Sequence, residues 1–360
     1  MTESIPRDLV RLPELDAAWQ VRGSGARLDA VRRGAGRLRD RILVGGTARC
    51  VRTADLATFP YPARYGLAGV AASPLPYVFL RNRMQLVQVT AAGQTITVLV
   101  NPTDPDRSQA APFFARMIAR YGQTASKLLS KRHGTVAQAL ASWGISPDAV
   151  DYVTFDHLHV QDLRGLLAPG GLLPRAKLLI QRDELDTLAG LHPLQVEWYI
   201  PDALTGIAAD RIVALDGDYL IGGGFALVRS PGHTVGNQSL VVVTDRGLWA
   251  ISENGICVDA YAPGVSRIRG LAGHARSHGV EVILNANTRE HALDQYTSMV
   301  LEKTLADPIA DRPELPQVFS SSELVPHRLA PGLSPVHSHG AIHHGEVAPG
   351  ARAAAGPMAS

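Results

Sequence analysis

The chain has 360 residues, of which 46% are hydrophobic and 19% charged, and its formal net charge is +2. This composition predicts a globular protein with a large core, and the balanced charge argues against nucleic acid as a partner. Two cysteines are too few for a disulfide framework, which favours a reducing compartment. Because the chain has no signal-peptide pattern and no apolar run of about eighteen residues, we expect a cytoplasmic protein without membrane contact.

Residues 1–75 are predicted to form an N-terminal extension. RLDAVRRGAGRLRDR reads as a helix with a solvated basic face, and ILVGGTARCVRT reads as a strand. A connection rich in proline and alanine follows. No motif in this segment carries chemistry, so we place the main domain, with any functional site, at 76–306.

Strand and helix patterns alternate through residues 76–306. YVFLRNRMQLVQVTAAGQTITVLV predicts two strands joined by a glycine turn, and AVDYVTF predicts a buried strand. The remaining patterns are helices in APFFARMIARYG and TASKLLSKRHGTVAQALASWG, a strand and helix in AKLLIQRDELDTL, a run of strands in FALVRSPGHTVGNQSLVVVTDRGLWAIS, and a closing strand and helix in GVEVILNANTREHALDQYTSMVLEKTL.

Residues 307–360 are rich in proline, alanine and glycine and show little periodic apolar pattern. We therefore predict a flexible C-terminal tail without a core of its own. The tail contains His337, His339, His343 and His344, which form either a metal-delivery segment or incidental histidines. The lack of an organising scaffold favours incidental histidines.

Three histidines form the most informative pattern of the chain. His157 and His159, in DHLHVQDLRG, follow a predicted strand, and their spacing places both side chains on one side of an extended backbone. His233 lies in SPGHTVG and would close a site from another loop. Each could be a satisfied polar core residue, but three imidazoles together favour a divalent metal site.

These motifs resemble those of the metallo-β-lactamase superfamily, whose pattern is H-x-H-x-D-H, then PGHT-x-G, then an acidic residue, then a last histidine. The first pair matches His157 and His159, the turn matches His233, and the acidic position matches Glu253 in LWAISENG. The resemblance covers residues 76–305. It implies an αββα sandwich, in which two mixed β-sheets pack face to face with helices outside. It also implies that the protein acts on a small-molecule substrate.

The departures from the family pattern concern the second metal site. In direct register, Gln161 occupies the aspartate position, Asp162 the following histidine position and Asn287 the last histidine position. Because an amide is a poor donor for such an ion, we predict one divalent ion, with zinc favoured over iron or manganese. A one-residue bulge after His159 would instead deliver Asp162 as a ligand.

The resemblance implies a hydrolase that uses metal-bound hydroxide on a small ester, lactone, amide or thioester. Glu253 is a candidate ligand and catalytic group, and Asp162 is a candidate general base, water orienter or ligand. The alternatives are a mononuclear iron or manganese oxygenase and a degenerate, non-catalytic binding protein. Arg164 is a weaker candidate for holding a substrate carboxylate. The substrate and a homo-oligomeric state remain open at this point.

Overall fold

The computed structural model describes residues 5–73, 76–288 and 291–349. The strands are Leu9–Leu12 (β1), Cys50–Pro62 (β2), Tyr77–Ala91 (β3), Gln94–Val100 (β4), Lys131–Arg132 (β5), Tyr152–Thr154 (β6), Lys177–Gln181 (β7), Ile212–Leu215 (β8), Asp218–Ile221 (β9), Phe225–Arg229 (β10), Gln238–Thr244 (β11), Gly247–Ser252 (β12), Pro308–Ile309 (β13), Arg312–Pro316 (β14), Val318–Ser320 (β15), Ser322–Leu324 (β16) and His344–Gly345 (β17). The α-helices are Asp16–Trp19 (α1), Ser24–Val44 (α2), Ala63–Gly66 (α3), Pro112–Tyr121 (α4), Gln123–Leu129 (α5), Val136–Ser142 (α6), Arg164–Leu167 (α7), Arg182–Ala189 (α8), Val258–Tyr261 (α9), Leu271–His278 (α10) and Ala292–Leu305 (α11).

Two mixed sheets form the centre of the fold. The larger follows the order β17-β2-β3-β4-β6-β7-β8, and β16 and β5 pair with β3 and β2 respectively. Its β4–β6, β6–β7 and β7–β8 pairs are parallel. The smaller sheet has the order β1-β9-β10-β11-β12-β15, in which β12 and β15 are parallel. Short strands β13 and β14 form a separate antiparallel pair.

The inner faces of the sheets share one apolar cluster. Val87, Val98 and Leu179 of the larger sheet pack in it with Phe225 and Leu240 of the smaller sheet. Each is fully buried, and burying an aliphatic or aromatic side chain of this size stabilises a fold by about 1.5–3 kcal/mol. This face-to-face packing confirms the sandwich that the family resemblance implies.

Helices cover both outer faces. On the smaller sheet, Leu38 of α2 and Leu301 of α11 pack against Val241 of β11. On the larger sheet, Leu140 of α6 and Leu188 of α8 belong to the cluster that contains Leu178 of β7 and surrounds the site described below. The basic stretch near the N-terminus lies in α2, whose apolar positions face the sheet. It is therefore a helix with one buried side, as predicted.

The N-terminal segment is part of the sandwich. Strand β2 pairs with β3 along its length, from Cys50 opposite Gln88 to Pro62 opposite Tyr77. Strand β1 forms an edge of the smaller sheet beside β9. The predicted boundary at residue 75 therefore does not separate two folded units. The strand predicted in ILVGGTARCVRT is confirmed only from Cys50 onward, because its first residues belong to the end of α2, and β1 was not predicted. Only pairing assigns both strands to the central sheets.

The prediction of a flexible C-terminal tail is wrong for residues 308–324. Strand β15 extends the smaller sheet and β16 pairs with β3 of the larger one. The composition predicted a flexible segment because VFSSSEL is rich in serine, but these serines are buried and have hydrogen-bond partners. Ser320 Oγ donates to the Gly255 carbonyl at 2.7 Å, and Ser321 Oγ donates to Asp156 at 2.6 Å. Residues 350–360 of the predicted tail lie outside the described residues.

Two of the tail histidines, His339 and His344, contact the body of the protein. The His339 ring packs against Trp249 and Phe319, and burial together with His337 lowers its pKa to about 3. His344 Nε2 bonds to the Ala48 carbonyl at 2.9 Å. Among the described residues, none of the four tail histidines belongs to a cluster that could hold a metal.

Two element predictions need correction. The closing strand in GVEVILNAN is absent from the described residues, because this segment bonds to a helix and a loop instead of a strand. Ile283 N–H donates to the Ala260 carbonyl of α9, and Asn285 N–H donates to the Asn254 carbonyl after β12. The single helix predicted in TASKLLSKRHGTVAQALASWG is divided into α5, β5 and α6. Helix α6 starts after Thr135, whose hydroxyl accepts from Gln138 N–H in a capping box.

No described helix is long and apolar enough to span a membrane.

Candidate metal centre

The loop after β6 carries the first two histidines, and Asp156 anchors it. Asp156 Oδ1 lies 2.9 Å from both the backbone nitrogen and Nδ1 of His157. Its Oδ2 accepts from Ser321 Oγ at 2.6 Å, and Asn101 N–H₂ donates to the same serine oxygen at 2.9 Å. Because Nδ1 of His157 is engaged, Nε2 is the nitrogen available to a metal.

The three predicted histidines form one buried cluster. Nitrogen atoms of His157, His159 and His233 lie within 4.8 Å of one another. The ring centroids are 4.6 Å apart for His157 and His159, 4.5 Å for His157 and His233, and 5.1 Å for His159 and His233. The turn between β10 and β11 brings His233 to the loop after β6. The cluster therefore joins the two sheets at one end.

The chemistry of this donor set fits a divalent metal ion. Nε2 of His159 is buried without a hydrogen-bond partner, which costs about 1–3 kcal/mol unless something ligates it. Burial, and then the neighbouring His157, lower the pKa of His159 well below its ordinary value and that of His233 to about 3. Both imidazoles are therefore neutral near pH 7, which is the form that binds metals.

Two amides lie beside the histidine cluster. Gln161 and Asn287 both line the cavity that contains the histidines. Asn287 Nδ2 lies 3.4 Å from His159 Nδ1, and its Oδ1 is buried without a hydrogen-bond partner. Immediately after His159 the backbone turns at Val160, which has a φ of 57°. A β-branched residue rarely adopts this left-handed conformation, which stores about 1–3 kcal/mol of strain beside the site.

Asp162 faces two arginines. Its Oδ1 accepts from Arg164 Nε at 2.9 Å and its Oδ2 from Arg164 Nη2 at 2.7 Å, while Arg107 Nη1 lies 3.4 Å away. Burial opposes ionisation, but these guanidinium groups together lower the pKa of Asp162 below its ordinary value. Asp162 is not among the residues lining the cavity. Arg164 also pairs with Asp202, so an ordinary ion-pair network explains this arginine.

Glu253 directly follows β12 and lines the same cavity as the histidines. Burial, and then the neighbouring Asp156 carboxylate, raise its pKa well above the ordinary value, while contacts with Ser322 act in the opposite direction. Glu253 lies outside the cluster of three mutually close histidines. Glu253 therefore lines the cavity together with Asp156, whereas Asp162 belongs to the ion-pair network with Arg164 and Arg107.

The cavity has a volume of about 570 Å³, which is suitable for a small organic ligand. Trp198 stacks on Phe113 with ring centroids 4.7 Å apart and forms part of one wall. The larger apolar lining residues are Phe59, Tyr61, Leu80, Phe114, Met117, Ile118, Val160 and Trp198, and the lysines and arginine of the lining are Lys127, Lys131 and Arg132. The arrangement combines a cluster of metal donors with an apolar binding surface.

Sequence reasoning missed the residues that support the histidines from a distance. Ser321, which holds Asp156, gives no sequence signal because its partner is 165 residues away. Glu184, which contacts both histidine loops, does have a signal. It lies four residues before Leu188, on the buried face of an amphipathic helix where an apolar residue is expected.

No protein-family model matches the chain. An N-acyl homoserine lactonase of Bacillus thuringiensis is 29% identical over 111 residues, which are 31% of this chain and 40% of the relative. An N-acyl homoserine lactonase of a Bacillus species is 28% identical over the same length. The chain thus matches about 40% of the length of its curated relatives.

Among solved structures, the dizinc quorum-quenching lactonase AidC is similar with a TM-score of 0.48 and 13% identity, over 84% of this chain and 98% of that one. A quorum-quenching N-acyl homoserine lactone lactonase has a TM-score of 0.45 and 19% identity, over 64% and 86% respectively. The two mixed sheets between helices and the meeting of both histidine motifs in one cluster give this chain the metallo-β-lactamase fold that its sequence motifs imply.

Proposed function

We propose that this protein is a metal-dependent hydrolase of small lactones or esters. The observation that carries the proposal is the buried cluster of His157, His159 and His233, whose nitrogen atoms lie within 4.8 Å of one another. These residues line a cavity with an apolar wall. The partial sequence match to N-acyl homoserine lactonases supports a cyclic ester over an amide or thioester.

The three histidines would hold one divalent ion, with zinc favoured because neutral imidazoles suit it and amides occupy the second-site positions. Such an ion supplies Lewis-acid polarisation of a carbonyl and lowers the pKa of a bound water. Asp156 fixes the tautomer of His157 through Nδ1. Glu253 is the cavity group that would hold or transfer a proton, and its raised pKa suits that role.

The apolar wall would bind the acyl or alkyl part of the substrate and exclude water from the reacting ester. Phe59, Phe114 and Trp198 offer aromatic surface on this wall. Both oxygens of Asp162 accept from Arg164, so in this proposal Asp162 orients that arginine and does not abstract a proton.

A mononuclear iron or manganese oxygenase is the second candidate. The observation in its favour is that the described residues bring together one group of three histidines, while a carboxylate, Glu253, lines the same cavity; this donor set also suits iron or manganese. The lactonase relatives favour the hydrolase. A non-catalytic binding protein is the third candidate.

The deciding experiment is elemental analysis of untagged protein, combined with turnover of a panel of lactones, esters and thioesters followed by proton release. We expect about one zinc ion per chain and fastest turnover of lactones with apolar acyl chains. His233→Ala is the control for background hydrolysis. Bound iron with oxygen consumption would favour the oxygenase, and metal-loaded protein without any turnover would favour the binding protein.

A further inference from the structure

Glu184 in α8 is a fully buried acidic residue that the proposed chemistry does not use. It lies on the face of the helix that also buries Leu188. Desolvating a carboxylate is costly unless donors satisfy its oxygens, whereas an apolar residue would pack at this position without that cost. Its contacts therefore indicate why a carboxylate is present.

Those contacts join the two loops that carry the histidines. Glu184 Oε1 accepts from the backbone N–H of Leu158 at 2.8 Å, and Leu158 separates His157 from His159. Its Oε2 accepts from the hydroxyl of Thr234 at 2.6 Å, and Thr234 directly follows His233. One carboxylate thus holds the loop after β6 and the turn between β10 and β11.

A third contact reaches a histidine ring. The hydroxyl of Tyr199 donates to Glu184 Oε1 at 2.8 Å. The Tyr199 ring packs edge-on against His159, with centroids 4.7 Å apart. Through Tyr199, the carboxylate also restricts the orientation of the His159 imidazole.

The backbone of α8 also lies very close to the PGHT-x-G turn. A Cβ atom built on Gly236 would lie 2.2 Å from the backbone nitrogen of Glu184 and 2.5 Å from its Cα. Only glycine permits this approach, and the approach is what lets Thr234 reach the carboxylate. The turn and the helix therefore form one rigid support for His233.

We propose that Glu184 is a positioning residue that fixes the distance between the two histidine loops, and thereby the ligand geometry of the metal centre. The inference rests on the metal site of the proposed function. It requires that Glu184 act as an acceptor for all three donors at once. Outer residues of this kind typically contribute 10–100-fold to metal affinity.

The test compares Glu184→Ala and Glu184→Gln with the control Asp186→Ala, an exposed acidic residue of the same helix. Cobalt affinity is measured by competition with a chelator, and the visible spectrum of the cobalt-substituted protein reports the ligand geometry. We expect Glu184→Ala to weaken cobalt binding about tenfold or more and to change the spectrum. Glu184→Gln should lose less, because its amide oxygen keeps two bonds and its N–H₂ donates to the Thr234 hydroxyl.

Amide hydrogen exchange at Leu158 in the metal-free protein provides a readout independent of metal and turnover. Exchange should be at least about tenfold faster in Glu184→Ala than in Asp186→Ala, because the amide loses its buried acceptor. A well-folded Glu184→Ala with the cobalt affinity, spectrum and Leu158 exchange of the control would overturn the proposal. Should that variant fail to fold, Thr234→Val removes only the Oε2 bond, and an unchanged cobalt affinity and spectrum would overturn it equally. A wild-type protein that binds metal without hydrolysing any ester contradicts the proposed function and leaves this test intact.

Discussion

Two carboxylates beside the histidine cluster have opposite surroundings. Glu253 faces the cavity, where burial and Asp156 raise its pKa, while Asp162 is held by Arg164 and Arg107, which lower its pKa. Groups whose surroundings push their pKa values apart can take different roles in one site. Glu253 is thus an acid of the cavity with a raised pKa, and Asp162 is an ion-paired acid with a lowered pKa.

This separation predicts unequal effects of removing each charge. Glu253→Gln should lower kcat by about 100-fold or more if Glu253 transfers a proton, whereas Asp162→Asn should cost about tenfold or less. Steady-state kinetics of both variants at matched metal content measure the difference. A larger loss in Asp162→Asn would return the general-base role to Asp162.

His233→Ala should lower metal content and activity together while the fold persists. The variant removes one of three neutral donors, and the sandwich core consists of other residues. Elemental analysis and circular dichroism on the same sample check this prediction. Full metal occupancy in the variant would show that His233 is not a ligand.

Asp218 predicts a pH dependence away from the site. Burial raises its pKa to about 7, against a smaller opposing effect of the Arg229 backbone N–H, which donates to Oδ1 at 2.7 Å. The folded state therefore binds a proton that the unfolded state releases near pH 4, and the free energy of unfolding falls as pH rises towards 7. Asp218→Asn lacks this loss, so its stability relative to wild type should increase between pH 4 and pH 7. Urea unfolding at several pH values tests the sign.

At the scale of elements, the loops at the strand ends depend on close backbone contacts. The turn that carries His233 lies directly on α8 at Gly236, where a Cβ would approach the Glu184 nitrogen to 2.2 Å. The glycine of the PGHT-x-G motif is therefore explained by packing between two elements that are distant in sequence.

Gly236→Ala should destabilise the protein by about 1–3 kcal/mol and weaken metal binding, because the turn must move away from the helix. Gly264→Ala is a matched control, since a Cβ there meets nothing within 4 Å. Denaturant unfolding and metal titration of both variants decide the matter. Equal stability of the two would mean that the turn and helix separate without cost.

At the scale of the whole molecule, the C-terminal segment completes both the sheets and the site. Strands β15 and β16 pair with β12 and β3, and Ser321 between them holds Asp156. The composition of this segment predicts a removable tail, whereas its pairing makes it part of the core.

A chain that ends at residue 306 should therefore unfold or aggregate, because it exposes the edge of β12 and leaves Asp156 without Ser321. Ser321→Ala should keep the fold and lower metal affinity, since it removes only the hydroxyl. Thermal unfolding and metal titration compare the two. A truncated protein with the stability and activity of the full chain would show that these strands contribute little.

Local signals in the sequence were sufficient for much of the fold. Alternating apolar residues located β3 and β4, and the H-x-H and PGHT-x-G spacings located His157, His159 and His233. These signals work because strand pleating and loop chemistry are properties of neighbouring residues. The sequence by itself thus located these strands and the candidate donors, and the resemblance of its motifs to a known family implied the sandwich class.

Only the tertiary structure decided which distant residues support those donors. Asp156 and Ser321 are 165 residues apart, and Glu184 and Thr234 are 50 residues apart, so no local pattern links them. The serine-rich segment that contains β15 and β16 is buried, because partners distant in sequence accept from the hydroxyls of Ser320 and Ser321, which composition cannot reveal. Burial makes a polar side chain's partner obligatory, and the fold alone specifies that partner.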